Sequence, residues 1–187
     1  MCLAGFALFA GPLKSQSLTA ERVDDHLRVV APQLRLIHGK ALEQLQNGAS
    51  VTYVIAVTLT PEQGGSPVQV EGRFVMSFDL WEEKYSIVEA APVGRSGSHL
   101  TAAMAETWCL DNLPVPLPAV GPDRSFVIKL ECWVADNENE SGAESRPGLT
   151  LAGLIDVFSR KGRDAPPRWQ AFSGPLRLAD LKKRTVK

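Results

Sequence analysis

From residue 51 to residue 78 the chain alternates apolar and polar positions with a period of two. Val68, Val70, Phe74, Met76 and Phe78 fall on one face, with Gln69, Glu71, Arg73, Ser77 and Asp79 mostly on the other, which is the pattern of a half-buried strand. Just before it, Val51, Tyr53, Ile55, Val57 and Leu59 keep the same period. Residues 61–67, with the Gly64-Gly65 pair, link the two runs into a predicted β-hairpin with a longer loop. Tyr85 and Ile87, alternating with Lys84 and Ser86, predict a third meander strand within 80–89. Another strand is predicted over 126–134, where Phe126, Ile128, Leu130, Cys132 and Val134 share a face opposite Lys129 and Glu131. A first strand is predicted over 29–37, with Pro32 keeping its early part at a sheet edge.

Helical spacing is rarer. Leu42 and Leu45, with Asn47-Gly48 as an end signal, predict a short helix over 39–46. Beyond a turn-rich stretch at 93–98, Leu100, Ala103, Met104, Thr107 and Trp108 recur at i, i+3, i+4, i+7 and i+8. They predict the main helix, over 100–110, with Ser98 as N-cap and the sheet as its support. Pro114, Pro116, Pro118 and Pro122 then predict an extended crossing. Residues 136–147 are polar and acidic, an exposed loop. Leu151, Leu154, Ile155 and Phe158 fit a helix, Gly153, Ile155 and Val157 a strand; Thr150 as a cap favours the helix. Leu178 and Leu181 fit a last basic helical turn. The fold class is α+β: a mainly antiparallel, twisted sheet or β-sandwich with one main helix and one or two short ones.

At 187 residues the chain can bury a core without disulfide or metal staples, and one domain over 18–187 is expected. No apolar run is long enough to cross a bilayer as a helix, so no transmembrane anchor is expected. Residues 3–10, LAGFALFA, followed by Pro12, Lys14 and the small residues Ser15-Gln16-Ser17, read as the back half of a signal peptide over 1–17, with no basic residue ahead of the run. Export to the periplasm or beyond is therefore expected, with a mature chain beginning near Leu18; the alternative is a cytoplasmic protein whose first residues are a buried strand or helix. Cys2, Cys109 and Cys132 show no paired spacing. Cys109 and Cys132 read either as buried free thiols or, in an oxidising compartment, as a bridge. The net charge of -1 hides an asymmetry. The basic segment 160–187 holds nine Lys or Arg against Asp164 and Asp180, a balance of +7 that leaves -8 elsewhere.

The most site-like group is acidic: Asp79, Glu82 and Glu83 beside Trp81 and Tyr85. Carboxylates beside aromatic surface recur in carbohydrate sites, yet the simpler reading is a solvated strand connection with both aromatic rings turned into the core. His26, His38 and His99 lack metal-binding spacing. Ser96 and Ser98 lie near His99 without a nucleophile elbow around them. Gly64, Gly65, Gly94 and Gly97 complete no phosphate loop, so no cofactor, metal or catalytic residue is assigned. Phe74, Met76, Phe78, Met104 and Trp108 are the residues that would hold an apolar ligand between sheet and helix. Arg168, Trp169, Lys182, Lys183 and Arg184 are the partner-binding candidates, and their aromatic-basic mix also suits an anionic surface. Strapping of this tail across the sheet, with Trp169 and Phe172 buried, is the plainer expectation, and nucleic acid is not favoured.

The run MSFDLWEEKY at 76–85, the Leu45-Gln46-Asn47-Gly48 stretch ahead of the first long strand, and LIDVFSR and GPLRLADL at 154–160 and 174–181 resemble a family of uncharacterised bacterial envelope proteins. The resemblance implies a signal peptide and a mainly β body, and it brings no catalytic residues. The expected function is an exported, non-enzymatic binding or accessory protein acting on another protein or an envelope component. The alternatives are a carrier of an apolar small molecule or lipid, and a small hydrolase.

Overall fold

The computed structural model, which describes residues 18–91, 94–113, 115–118, 123–135 and 168–184, turns the alternating runs into two sheets with two helices packed against them. In chain order the elements are β1 (Thr19–Val23), β2 (His26–Val30), α1 (Gly39–Gln46), β3 (Val51–Pro61), β4 (Val68–Asp79), β5 (Lys84–Ala91), β6 (Ser96–Leu100), α2 (Ala102–Asp111), β7 (Val115–Pro116), β8 (Ser125–Val134), β9 (Trp169–Phe172), β10 (Leu176–Arg177) and β11 (Lys183–Arg184). The expectations for residues 1–17, 136–147 and 151–158 lie outside the described residues.

The larger sheet runs β10-β8-β3-β4-β5-β6, with β9 also on β8, and all its pairings are antiparallel. The predicted hairpin is β3 and β4, in a register that sets Tyr53 opposite Phe74 and Val57 opposite Val70. Val54 and Ala56 on the second face of β3 are buried as well, so this strand reads as a nearly continuous apolar run. The smaller sheet runs β11-β1-β2-β7, with β11 parallel to β1. Leu27 and Val29 of this sheet join Ile55, Phe74, Phe126 and Leu130 of the larger one, Leu45 of α1, and Ala105 and Cys109 of α2 in one hydrophobic cluster. At about 25 cal/mol per Å² of apolar surface removed from water, this shared cluster is the main force holding the layers together.

Helix α1 covers the predicted residues, and Gly48 follows it at φ +80, a left-handed position suited to glycine. The main helix begins later than expected. Thr101, not Ser98, caps it, its hydroxyl accepting from the Met104 N–H at 3.3 Å. The end of the stretch read as turns belongs to β6, and Gly97 there lets α2 approach: a Cβ would lie 2.9 Å from Trp108 Nε1. The strand predicted over 29–37 is a correction: its first two residues end β2, which pairs with the unforeseen β1 through a turn at Asp24-Asp25. From Ala31 the chain leaves the sheet, and Leu34 N–H folds back to the Ala31 carbonyl at 3.0 Å. Among the described residues the proline-rich crossing contributes β7, with Pro116 on a sheet edge. The predicted last helical turn is a 3-10 turn at Leu178–Asp180.

Candidate functional site

The residues singled out for an apolar ligand do not form one lined space. Phe74 and Met76 are buried, and Phe74 meets Trp108 edge to face, with centroids 6.2 Å apart. Phe78 instead stacks on Tyr85 at 4.7 Å. Above Gly72 a Cβ would come within 2.8 Å of Leu113 Cδ1, so that stretch of sheet is already covered. Met104 departs from the expectation: it is 54% exposed, on the side of α2 away from the sheet. The helix uses Ala105, Cys109 and Leu110 for burial, a face rotated from the one that the sequence spacing selected.

The basic candidates are likewise divided. Arg168 lies 4.5 Å over the Trp133 ring, and Trp169 is half-buried in β9 opposite Cys132. Lys182, Lys183 and Arg184 are exposed on the other sheet, where Arg22 N–H donates to the Lys182 carbonyl at 2.9 Å and Arg184 reaches Glu21 at 4.0 Å. Phe172, expected inside, is exposed, because Ala171 takes the inward position of β9. Cys109 and Cys132 are free and buried. Burial, and then the nearby Glu106 charge, push the Cys109 thiol up to about 12. Burial also raises Cys132. Thiols held protonated in this way are poor nucleophiles.

Two surface features stand out. The first is the β4–β5 tip, where one expectation is overturned: Tyr85 turns inward, but Trp81 is 96% exposed, beside Leu80 at 56%. The tip is nonetheless well held. Asp79 Oδ1 accepts from the Trp81 N–H at 2.8 Å and the Glu82 N–H at 3.0 Å, a side-chain mimic of a turn. These two bonds, that to Glu82 first, hold the Asp79 carboxyl below its ordinary range. Glu83 supplies the left-handed residue at φ +53. Glu82 Oε2 lies 3.1 Å from His99 Nε2, tying the turn to β6, and His99 Nδ1 lies 3.2 Å from Ser98 Oγ. This places carboxylate, imidazole and hydroxyl in line in open solvent, with His99 itself at φ +58. A non-glycine residue held there is strained, and its two side-chain contacts brace the tip.

The second feature is a groove of about 270 Å³ between α2, β2 and the segment that follows β2. Val29, Leu34 and Leu110 form an apolar floor, and Arg28 and Arg35 stand on the rim. Arg28 grips Asp111 with two bonds, 2.6 and 2.8 Å, and that contact raises the guanidinium pKa further. Arg35 is 65% exposed, with its Nη1 on the Leu34 carbonyl at 2.6 Å. Under the rim Glu106, only 6% exposed, accepts at Oε1 from Leu36 N–H (2.7 Å) and Ile37 N–H (3.2 Å). That anchor positions the whole segment and hence the groove. The sequence carried no signal for it, since the donors are backbone groups seventy residues away.

Among the described residues no group of three His, Cys, Asp or Glu side chains is placed to hold a metal ion. No protein-family model matches the chain, and neither a curated protein nor a solved structure matches it.

Proposed function

We propose that this is an exported, non-enzymatic binding or accessory protein of the bacterial envelope, acting on another protein or an envelope component through the β4–β5 tip. One observation carries the reading: an indole stands almost wholly in water on a turn whose backbone is pinned by Asp79 and braced by His99. Trp81 adds nothing to the core, and tryptophan is the residue type that most often anchors an interface. A pinned turn also lowers the ordering cost of binding. The apolar run at 3–10 and the envelope-family resemblance support export. Among the described residues no helix is long and apolar enough to cross a membrane. The carrier alternative draws less support, since Phe74 and Trp108 are in contact with each other.

A photo-crosslinking amino acid placed at position 81 in the native host, with Gln63 on the exposed β3–β4 loop as control, tests the reading. A discrete adduct in the envelope fraction from position 81 alone is expected. No adduct at 81, or the same adducts from both positions, overturns it.

A further inference from the structure

We infer that β6 is a releasable edge strand: residues 95–100 detach from β5 while the rest of the larger sheet stays folded, and the opening brings water to the Glu89 carboxylate. Release also breaks the Glu82–His99 contact and leaves the Trp81 turn held by Asp79 alone. It requires no partner at the tip. Little holds β6 down. It closes one end of the larger sheet. Of Ser96, Gly97, Ser98, His99 and Leu100, Leu100 alone is buried, so the strand removes little apolar surface from water. Its ladder is short and irregular: Tyr85 pairs with Leu100, Ile87 with Gly97 and Val88 with Ser96, and the register shifts between Tyr85 and Ile87. Ser98 and His99 thus stand against Ser86 alone, a bulge of the kind that weakens pairing at sheet edges. Within it His99 is held at φ +58, a strained conformation for histidine.

Glu89 adds a drive toward opening. It follows Tyr85 and Ile87 on the buried face of β5, and among the described residues both of its carboxylate oxygens lack a hydrogen-bond partner. Its backbone N–H donates to the Arg95 carbonyl at 2.8 Å, which sets it directly beside the stretch that leads into β6. Water reaching the carboxylate removes the desolvation that the closed state imposes. Three contacts keep the strand closed: Trp108 close over Gly97, Glu82 Oε2 at 3.1 Å from His99 Nε2, and the Glu89–Arg95 backbone bond. Each involves a residue of 95–100, so they are lost together. Strand β3 is built the other way. It is paired without a register shift along both edges, and it buries Tyr53, Ile55, Val57 and Leu59. Local opening is drawn from segments with few buried apolar contacts, and β6 is such a segment.

Native-state hydrogen exchange of the full chain, read residue by residue by NMR and corrected for intrinsic rates, tests this. The reporter is the Glu89 N–H, whose acceptor lies in the departing stretch; the amides of Ile55 and Val57 in β3 are the reference. In the wild type the reporter is expected to exchange roughly a hundredfold or more faster than the reference. Low urea should leave the reporter rate unchanged and accelerate the reference, because complete unfolding alone exposes the latter. Glu89→Met should slow exchange at residue 89 by about thirtyfold, since no carboxylate then gains water on opening. Far-UV circular dichroism checks that the variant folds, and if it does not, the wild-type comparison decides by itself. Equal rates and equal urea responses at the reporter and the reference in the wild type overturn the release of β6. So does a Glu89→Met variant whose residue 89 exchanges as fast as the wild type. Slowing confined to the β3 amides also overturns it, because the carboxylate would then gain water in complete unfolding alone.

Discussion

Glu106 and Glu89 carry the same carboxyl group into the same hydrophobic interior and meet opposite surroundings. Glu106 on α2 receives two backbone N–H groups, from Leu36 and Ile37. Glu89 on β5 is 1% exposed, and among the described residues neither of its oxygens has a hydrogen-bond partner. The difference lies in what the neighbouring backbone can spare. After Val30 the chain leaves the sheet, so the N–H groups of residues 36 and 37 belong to no ladder and are available to a side chain. Around Glu89 the backbone is tied into the β4–β5–β6 ladders, with the Glu89 N–H itself on the Arg95 carbonyl at 2.8 Å. A buried polar group is tolerated where donors are supplied and is costly where they are not.

The comparison breaks most visibly at Glu106. Glu106→Ala should lower stability by about 3 kcal/mol, because it removes charge-assisted bonds and leaves the buried Leu36 N–H and the part-buried Ile37 N–H unpaired. Urea unfolding measures this, and a loss below about 1 kcal/mol would mean that the 36–37 segment finds other acceptors. Glu89→Met should act in the opposite direction, raising stability by about 2 kcal/mol, since an apolar side chain of similar size replaces an unsatisfied group. A destabilised variant would show that the Glu89 carboxyl is satisfied in solution.

The third effect is an alkaline one that sharpens the role of Glu106. The Cys109 thiol titrates at about 12 in the fold against an ordinary 9.0. The folded state therefore holds a proton that the unfolded state releases. That contribution is complete below pH 9.0 and is lost as pH rises toward 12, at up to about 1.4 kcal/mol per pH unit. Burial is the larger cause and the Glu106 charge the next, so Glu106→Gln should bring the Cys109 value down and shorten the alkaline loss. Thiol alkylation rates against pH in folded protein give the readout; an unchanged profile would remove Glu106 from the cause.

Much of the fold was readable before any tertiary contact was known. The pattern located β3, β4, β8 and α1 closely, and it found α2 to within two residues at its start. It missed β1, β6, β7, β9, β10 and β11. Most of these are sheet edges, and three are only two residues long, too short to show a period. At the candidate site the acidic residues of the tip were legible, but the exposure of Trp81 was not. Apolar composition predicts burial, and it was the two N–H bonds to Asp79 and the turn at Glu83 that carried Trp81 outward while Tyr85 turned in.

The amino-acid sequence by itself determined that this chain would form a mainly antiparallel α+β body, because the alternation of side chains along a strand and their recurrence along a helix follow from local backbone geometry. Only the tertiary structure decided that a tryptophan would stand in water, that an arginine-rimmed groove would open beside α2, and that one buried carboxylate would be satisfied and another left without partners. Each of those outcomes depends on which distant segment brings its donors, charges or surface to the same place, and no local pattern records that.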